Sequence, residues 1–285
     1  METSDIMPFT LITGASSGIG KALAFECAAR ELNLLLVALP GTGLNKVTSE
    51  ITTEYQVVVK ALEIDLTETC ACSKVHQWCR ENHWHVNMLI NNAGFGNLEF
   101  FENSNLELLE KMVLLNNLAV VSLCRTFIPD LKQFKKSYLL NVSSLGAFLP
   151  LPRKSVYVAS KRFIYAFSQV LRFELNVYKI KVSCLCPGST ATSRALEILQ
   201  QMKFKPNAFC MLPEQVAKEA IDKMFQGCFR IIPGWRNRIL FLLIGLLPPT
   251  LKALIVCRIF NREQRMTSKM VPAYSRKLNL VPAVF

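Results

Sequence analysis

The chain has 285 residues, enough for one large domain or two small ones, and 51% of them are hydrophobic, which is ample for a buried core. That composition excludes disordered, collagen-like and low-complexity classes. Charged residues make up 19% and the mean hydropathy is +0.26, yet no uninterrupted apolar run reaches about 18 residues, the length that spans a bilayer.

The most apolar window, residues 239–256, is interrupted by Gly245, Pro248, Pro249 and Lys252, and the opening METSDIMPFT has neither a basic start nor a long apolar stretch. These features predict a cytoplasmic protein. Ten cysteines scattered from Cys27 to Cys257, with no secretion signal, predict reduced thiols used as small apolar residues. The net charge of +12 is uneven: from Lys223 onward eleven Lys or Arg face one acid, Glu263. A tail that basic predicts an anionic partner.

In chain order, β-branched or leucine-rich runs at 9–13, 34–39, 57–64, 88–90, 138–142, 181–186 and 229–232 predict strands. Between them, stretches at 18–30, 43–54, 70–82, 103–131, 155–177 and 213–226 predict helices long enough to cross back over a sheet. The alternation predicts an α/β fold, a doubly wound parallel sheet of seven strands with helices on both faces. No repeat and no Gly, Ser or Pro-rich linker interrupts it, so residues 1–232 are expected to form one domain and 233–285 a basic, apolar helical appendage.

The first strand runs into Thr13-Gly14-Ala15-Ser16-Ser17-Gly18-Ile19-Gly20 and then a helix. Glycines there let backbone approach a pyrophosphate, and the helix start offers N–H groups to receive it. Alone this turn is weak; other motifs agree with it. Asn91-Asn92-Ala93-Gly94 ends the fourth strand, Asn141-Val142-Ser143-Ser144 the fifth and Cys186-Pro187-Gly188 the sixth, while Tyr157-Val158-Ala159-Ser160-Lys161 opens a helix. All lie at carboxyl ends of strands, where open α/β sheets bind ligands.

Positions four apart share a helix face, so Lys161 stands beside Tyr157. A free phenol, with a pKa near 10, is a poor acid or base at neutrality, and a neighbouring ammonium is expected to lower that value. Ser144, thirteen residues before Tyr157, is placed to hold a substrate carbonyl oxygen while Tyr157 supplies the proton.

In order and spacing these motifs resemble the short-chain dehydrogenase/reductase family over about residues 8–232. The resemblance implies a Rossmann-type dinucleotide-binding fold and an NAD(P)-dependent oxidoreductase. It implies that Asn116, with Asn117 as rival, bends its helix and holds a water relaying protons to Lys161, and that Lys161 also binds the nicotinamide ribose. Asp65 and Leu66 would hold the adenine. Asn92, Ala93 and Gly94 would line the cofactor, and Pro187, Gly188 and Thr190 or Thr192 would meet the carboxamide. The resemblance also implies a homodimer or homotetramer, and includes members acting on steroid, acyl-chain or other lipophilic ketones.

The cofactor choice departs from pattern. After the second strand, where a carboxylate would favour NAD and an arginine NADP, stand Ala38-Leu39-Pro40-Gly41-Thr42-Gly43. With no acid to repel a phosphate, and with Ser17, Lys21, Thr42 and Lys46 near, NADP(H) is expected over NAD(H). His76, His83 and His85 lie close to Cys70, Cys72 and Cys79, but the face that carries 72, 76, 79 and 83 is the one turned to the sheet, so a core role is expected and no metal.

In the tail, cations border apolar segments, which suits a membrane surface, a lid or a subunit contact and not nucleic acid. The expected reaction is hydride transfer between nicotinamide and an apolar ketone or alcohol, since Gly146-Ala147-Phe148-Leu149-Pro150-Leu151 and residues 189–211 offer mostly apolar walls. The rival reading is a catalytically silent nucleotide-binding membrane protein or scaffold, which would tolerate loss of Tyr157 and Lys161.

Overall fold

The strand runs carry Leu, Ile and Val at successive positions because both faces of the sheet are covered. The computed structural model describes residues 7–192, 210–248, 250–256 and 258. Seven strands form one parallel sheet: β1 (Pro8–Thr13), β2 (Asn33–Ala38), β3 (Val59–Glu63), β4 (His85–Asn91), β5 (Ser137–Val142), β6 (Ile180–Leu185) and β7 (Arg230–Ile231). Their order is β3-β2-β1-β4-β5-β6-β7. The chain changes direction across the sheet between β1 and β4, which opens a crevice at their carboxyl ends. All seven predicted strands are present; the third starts at Val59 and the fourth is extended to His85–Asn91.

The helices are α1 (Gly18–Ala28), α2 (Leu44–Glu54), α3 (Ala71–Glu81), α4 (Leu106–Val113), α5 (Ala119–Leu131), α6 (Ser155–Leu175), α7 (Pro213–Phe225) and α8 (Trp235–Leu246). Alternate strand residues sort the core into two layers. Ile12, Leu36 and Leu140 pack under α1, α2 and α7, and Leu11, Val37 and Leu139 under α3, α5 and α6.

The predicted helix over 103–131 is interrupted. Its α-helical part begins at Leu106, where the Asn105 side chain accepts a hydrogen bond from Leu108 N at 3.1 Å, and a π-helical turn, Leu114–Leu118, joins α4 to α5. Leu106–Leu131 is long and apolar enough to cross a membrane. Val120, Leu123 and Phe127 are nonetheless buried against the sheet, so the apolarity serves the core.

Around α3, Cys72 and Cys79 are buried, and burial pushes their thiols up to about 11 and about 12. His76 Nε2 lies 2.8 Å from the Asp130 carboxylate, whereas His83 falls beyond the end of α3, exposed and with φ +56°, so it does not share the face assigned to it. Helix α8 sets Leu240 and Phe241 against Leu145, Cys184, Cys186 and Ile232. Arg238 pairs with Glu219 of α7 and donates from Nε to Ile232 O at 3.0 Å.

Candidate active site

At the end of β1 the backbone turns through Gly14 (φ +66°) and Gly18 (φ +54°), conformations that favour glycine. A Cβ on Gly20 would lie 2.0 Å from Gly14 O, so α1 starts directly against the turn. The Asn91-to-Gly94 motif is stitched to it: Thr13 Oγ1 accepts from Asn92 N (3.0 Å) and Ala93 N (3.1 Å), and Asn92 Nδ2 donates to Thr13 O (3.0 Å) and Gly14 O (3.2 Å).

Ser17 is the N-cap of α1 and makes no side-chain capping bond, leaving Ser16, Ser17 and the N–H groups of Gly18 and Ile19 at the positive end of the helix. A Cβ on Gly18 would meet Thr192 Cγ2 at 3.0 Å, which brings the segment after β6 to the same cleft. Asp65 Oδ1 accepts from Thr67 N (2.8 Å) and Thr67 Oγ1 (2.7 Å), and Leu66 is buried beside it. Thr190 is buried and donates to Gly188 O at 3.2 Å. This uncapped helix start, pressed against glycines without room for side chains, fits a dinucleotide pyrophosphate.

At the other end of the crevice, Ser144 begins a 3₁₀ turn, Leu145–Phe148. Its Oγ accepts from Gly146 N at 3.0 Å, and its influence draws the Tyr157 phenol downward. Tyr157 is 2% exposed; its ring lies on Gly96, where a Cβ would be 2.7 Å from Cδ2. Lys161 is buried, with Nζ donating to Val142 O at 3.0 Å and standing 6.0 Å from the Tyr157 ring centre.

A Cβ on Gly94 would meet Asn116 Oδ1 at 2.8 Å and Lys161 Nζ at 3.2 Å, so these three residues converge. Asn116 Oδ1 accepts from Phe95 N (3.0 Å), and its Nδ2 donates to Phe95 O (2.9 Å) and Ser160 Oγ (3.0 Å). Asn117 Nδ2 donates to Ser160 O at 2.9 Å. Both asparagines sit on the π-helical turn and reach Ser160, one at its hydroxyl and the other at its carbonyl.

The electrostatics correct one expectation. Burial pushes the Tyr157 phenol above its ordinary value, with the Ser144 hydrogen bond pulling the other way, and burial brings the Lys161 ammonium down to about 8. Lys161 does not hold the phenol low in the cofactor-free chain. Spacing placed the pair side by side, but only the fold shows that both have left water, which disfavours each charged form.

Among the residues expected near a 2′-phosphate, Lys21 is bound to Glu50 at 2.6 Å, which offsets its charge, and Thr42 Oγ1 donates to Leu39 O at 2.6 Å. The fold also brings a carboxylate that the sequence reading missed, Glu63 Oε2, to 3.5 Å from Gly41 N. Lys154 was missed as well. It is buried at the start of α6, with Nζ 5.8 Å from the Tyr157 ring centre, and its place three residues before the tyrosine was the available signal.

Of the predicted substrate wall, Phe148 packs on Tyr165 and Phe241, whereas Leu151 and Ser144 both border Gly146. Residues 193–209 of that wall lie outside the described residues.

The family model described as short chain dehydrogenase matches residues 8–203. The very-long-chain 3-oxoacyl-CoA reductase of Phaeosphaeria nodorum is 27% identical over 243 residues, 81% of this chain and 69% of that protein. The human 17-beta-hydroxysteroid dehydrogenase type 3 is 26% identical over 246 residues, 80% of this chain and 76% of that protein. A short-chain dehydrogenase from Sphingobium yanoikuyae, solved in complex with NADPH, superposes with a TM-score of 0.72 at 29% identity, covering 85% of this chain and 96% of its own. The match from β1 into the segment after β6, on a sheet wound in this order, takes in the glycine turn and the tyrosine and lysine of α6: the chain belongs to the short chain dehydrogenase family of NAD(P)-dependent oxidoreductases.

Proposed function

We propose that this chain reduces apolar ketones, of the acyl-chain or steroid kind, to secondary alcohols, with Tyr157 as the proton donor. The observation that carries the reading is the buried Tyr157, whose phenol Ser144 pulls downward, with the Lys161 ammonium one helical turn on and 6.0 Å from the ring centre. A reduced nicotinamide dinucleotide, when bound, supplies the hydride that reaches the carbonyl carbon. Ser144 holds the carbonyl oxygen, and Tyr157 gives it a proton, which solvent restores. Overall, ketone, reduced cofactor and one proton become alcohol and oxidised cofactor. Asn116 fixes the Phe95 backbone and Ser160 around Lys161 and, in this proposal, stands at the relay that returns the proton.

Gly14, Ser16, Ser17, Gly18, Ile19 and Gly20 would hold the pyrophosphate, and Asp65 and Leu66 the adenine. Asn92, Ala93, Gly94, Tyr157 and Lys161 would face the nicotinamide ribose, and Pro187, Gly188, Thr190 and Thr192 its carboxamide. NADP(H) is the proposed cofactor. Similarity to the NADPH complex and an exposed Lys46 support it, and the Glu63 carboxylate opposes it. The apolar substrate class is supported by Leu151 beside Ser144 and by the acyl and steroid specificities in the names of the relatives.

Residues 1–232 are proposed as the catalytic domain and 233–285 as an appendage. On α8, Trp235, Ile239, Leu242, Leu243 and Leu246 are exposed in a basic region, which supports a cytoplasmic enzyme resting on an acidic membrane surface. Exposed Phe163, Val170, Phe173 and Val177, at helical spacing around α6, support association with a second copy.

The test is fluorescence titration with NADPH and NADH, followed by turnover of a 3-oxoacyl thioester, a 17-ketosteroid and a long-chain 2-ketone by wild type and Tyr157→Phe. The variant should bind cofactor and lose at least about a hundredfold in kcat. Undiminished turnover by Tyr157→Phe overturns the mechanism.

A further inference from the structure

Three residues of α6 and its N-cap lie on one stripe: Lys154, Tyr157 and Lys161, spaced three and four apart. The tyrosine ring has an ammonium on each side in sequence, Lys154 Nζ at 5.8 Å and Lys161 Nζ at 6.0 Å from its centre, both within range of a cation–π contact. Lys161 belongs to the proposed reaction. Lys154 does not, yet it is only 9% exposed, and a lysine is seldom taken that far from water without a task.

The backbone is built to turn it inward. Arg153 has φ +66°, a left-handed conformation uncommon for a residue with a Cβ. Three contacts hold that residue and the next in place. Arg153 O accepts from Glu99 N at 3.0 Å, Arg153 Nη2 donates to Leu98 O at 3.1 Å, and Lys154 O accepts from Val158 N at 2.8 Å. Backbone strain of this kind persists only where surrounding contacts enforce it, and it gathers at functional sites.

Leu109 and Met112 of α4, with Phe95, Val156 and Val158, form the apolar cluster that holds Tyr157. Cys184 of β6 and the adjoining Cys186 act on Lys161. Among the described residues, the cations that stand over this ring are Lys154 and Lys161.

We infer that Lys154 is a second positioning cation for the proton-transferring tyrosine, standing with Lys161 near the Tyr157 ring so that the phenolate formed once substrate and cofactor are in place meets two ammoniums, whereas burial outweighs them in the cofactor-free chain. Burial brings the Lys154 ammonium down to about 8, so it carries its charge at neutral pH and surrenders it in the alkaline range. The inference rests on Tyr157 being the acid/base. It goes beyond that reading in giving the pH dependence a second owner.

The test is the pH dependence of kcat and KM for cofactor-dependent oxidation of a 17β-hydroxysteroid or 3-hydroxyacyl thioester, whichever the wild type turns over faster. The proteins compared are wild type, Lys154→Met, Lys154→Gln and Lys154→Arg. Removing the charge should move the rising limb of the profile upward by about one pH unit or more and lower kcat at pH 7 by about tenfold. KM should stay within about a factor of two, and Lys154→Arg should keep the wild-type limb.

Unshifted limbs in Met and Gln, or an equal shift in Arg, overturn the role. So does a rise in KM with kcat unchanged, which would assign Lys154 to an anionic group of the substrate. Gln covers the case in which Met fails to fold. Tyr157→Phe separates the two readings: if it stays active the proton-transfer reading itself fails, whereas an inactive Tyr157→Phe beside an unshifted Lys154→Met removes only the second cation.

Discussion

Replacing Lys161 by Met should abolish turnover and yet make the cofactor-free fold more stable at neutral pH. The lysine is buried, and its pKa falls from the ordinary 10.5 to about 8 because the charged form is desolvated. At about 1.4 kcal/mol for each pH unit, that depression corresponds to about 3 kcal/mol spent keeping the ammonium charged in the folded chain at pH 7. Met has similar length and no charge, but it leaves Val142 O without the donor that now stands at 3.0 Å, a loss of about 1 kcal/mol.

The net expectation is a gain of about 2 kcal/mol at pH 7. The sign follows from proton counts. Between the folded pKa of about 8 and the unfolded 10.5 the unfolded chain binds more protons, so wild-type stability rises with pH through that window. The advantage of Lys161→Met should therefore shrink from pH 8 upward and vanish near pH 10. Urea unfolding at pH 7 and pH 10, followed by circular dichroism, measures both values. A variant less stable than wild type at pH 7, or a difference that does not change with pH, would refute the argument that burial without a carboxylate governs this lysine.

Two further outcomes follow from packing and exposure. Gly20→Ala puts a Cβ 2.0 Å from Gly14 O, so the turn must open; a stability loss of roughly 1–3 kcal/mol and at least about tenfold weaker NADPH binding are expected from unfolding and fluorescence titration. Leu242 and Leu246 are 63% and 81% exposed on α8. Changing both to Ser should cut partition onto vesicles containing phosphatidylserine by about a hundredfold in flotation assays while leaving ketone turnover in solution intact, and unchanged flotation would count against the membrane-surface reading.

Periodicity and motif order determined the architecture of this protein. Runs such as Leu34-Leu35-Leu36-Val37 are legible as parallel strands because a sheet covered on both faces needs no polar alternation. The glycine turn is legible because its φ angles and the close approach of Gly20 to Gly14 exclude other residues. Tyr157 and Lys161 stand out because helical spacing is a local property.

What only the tertiary structure decided depends on groups distant in sequence. Burial, summed over several elements, set the order in which Lys161 and Tyr157 lose protons, the reverse of what their spacing suggested. Pairing across strands and helices took Lys21 to Glu50 and carried Glu63 to the loop after β2. The left-handed turn at Arg153 sent Lys154 inward where a surface lysine would be the ordinary outcome. A residue's charge state and partner belong to its solvent environment, and that environment exists only once the chain has folded around it.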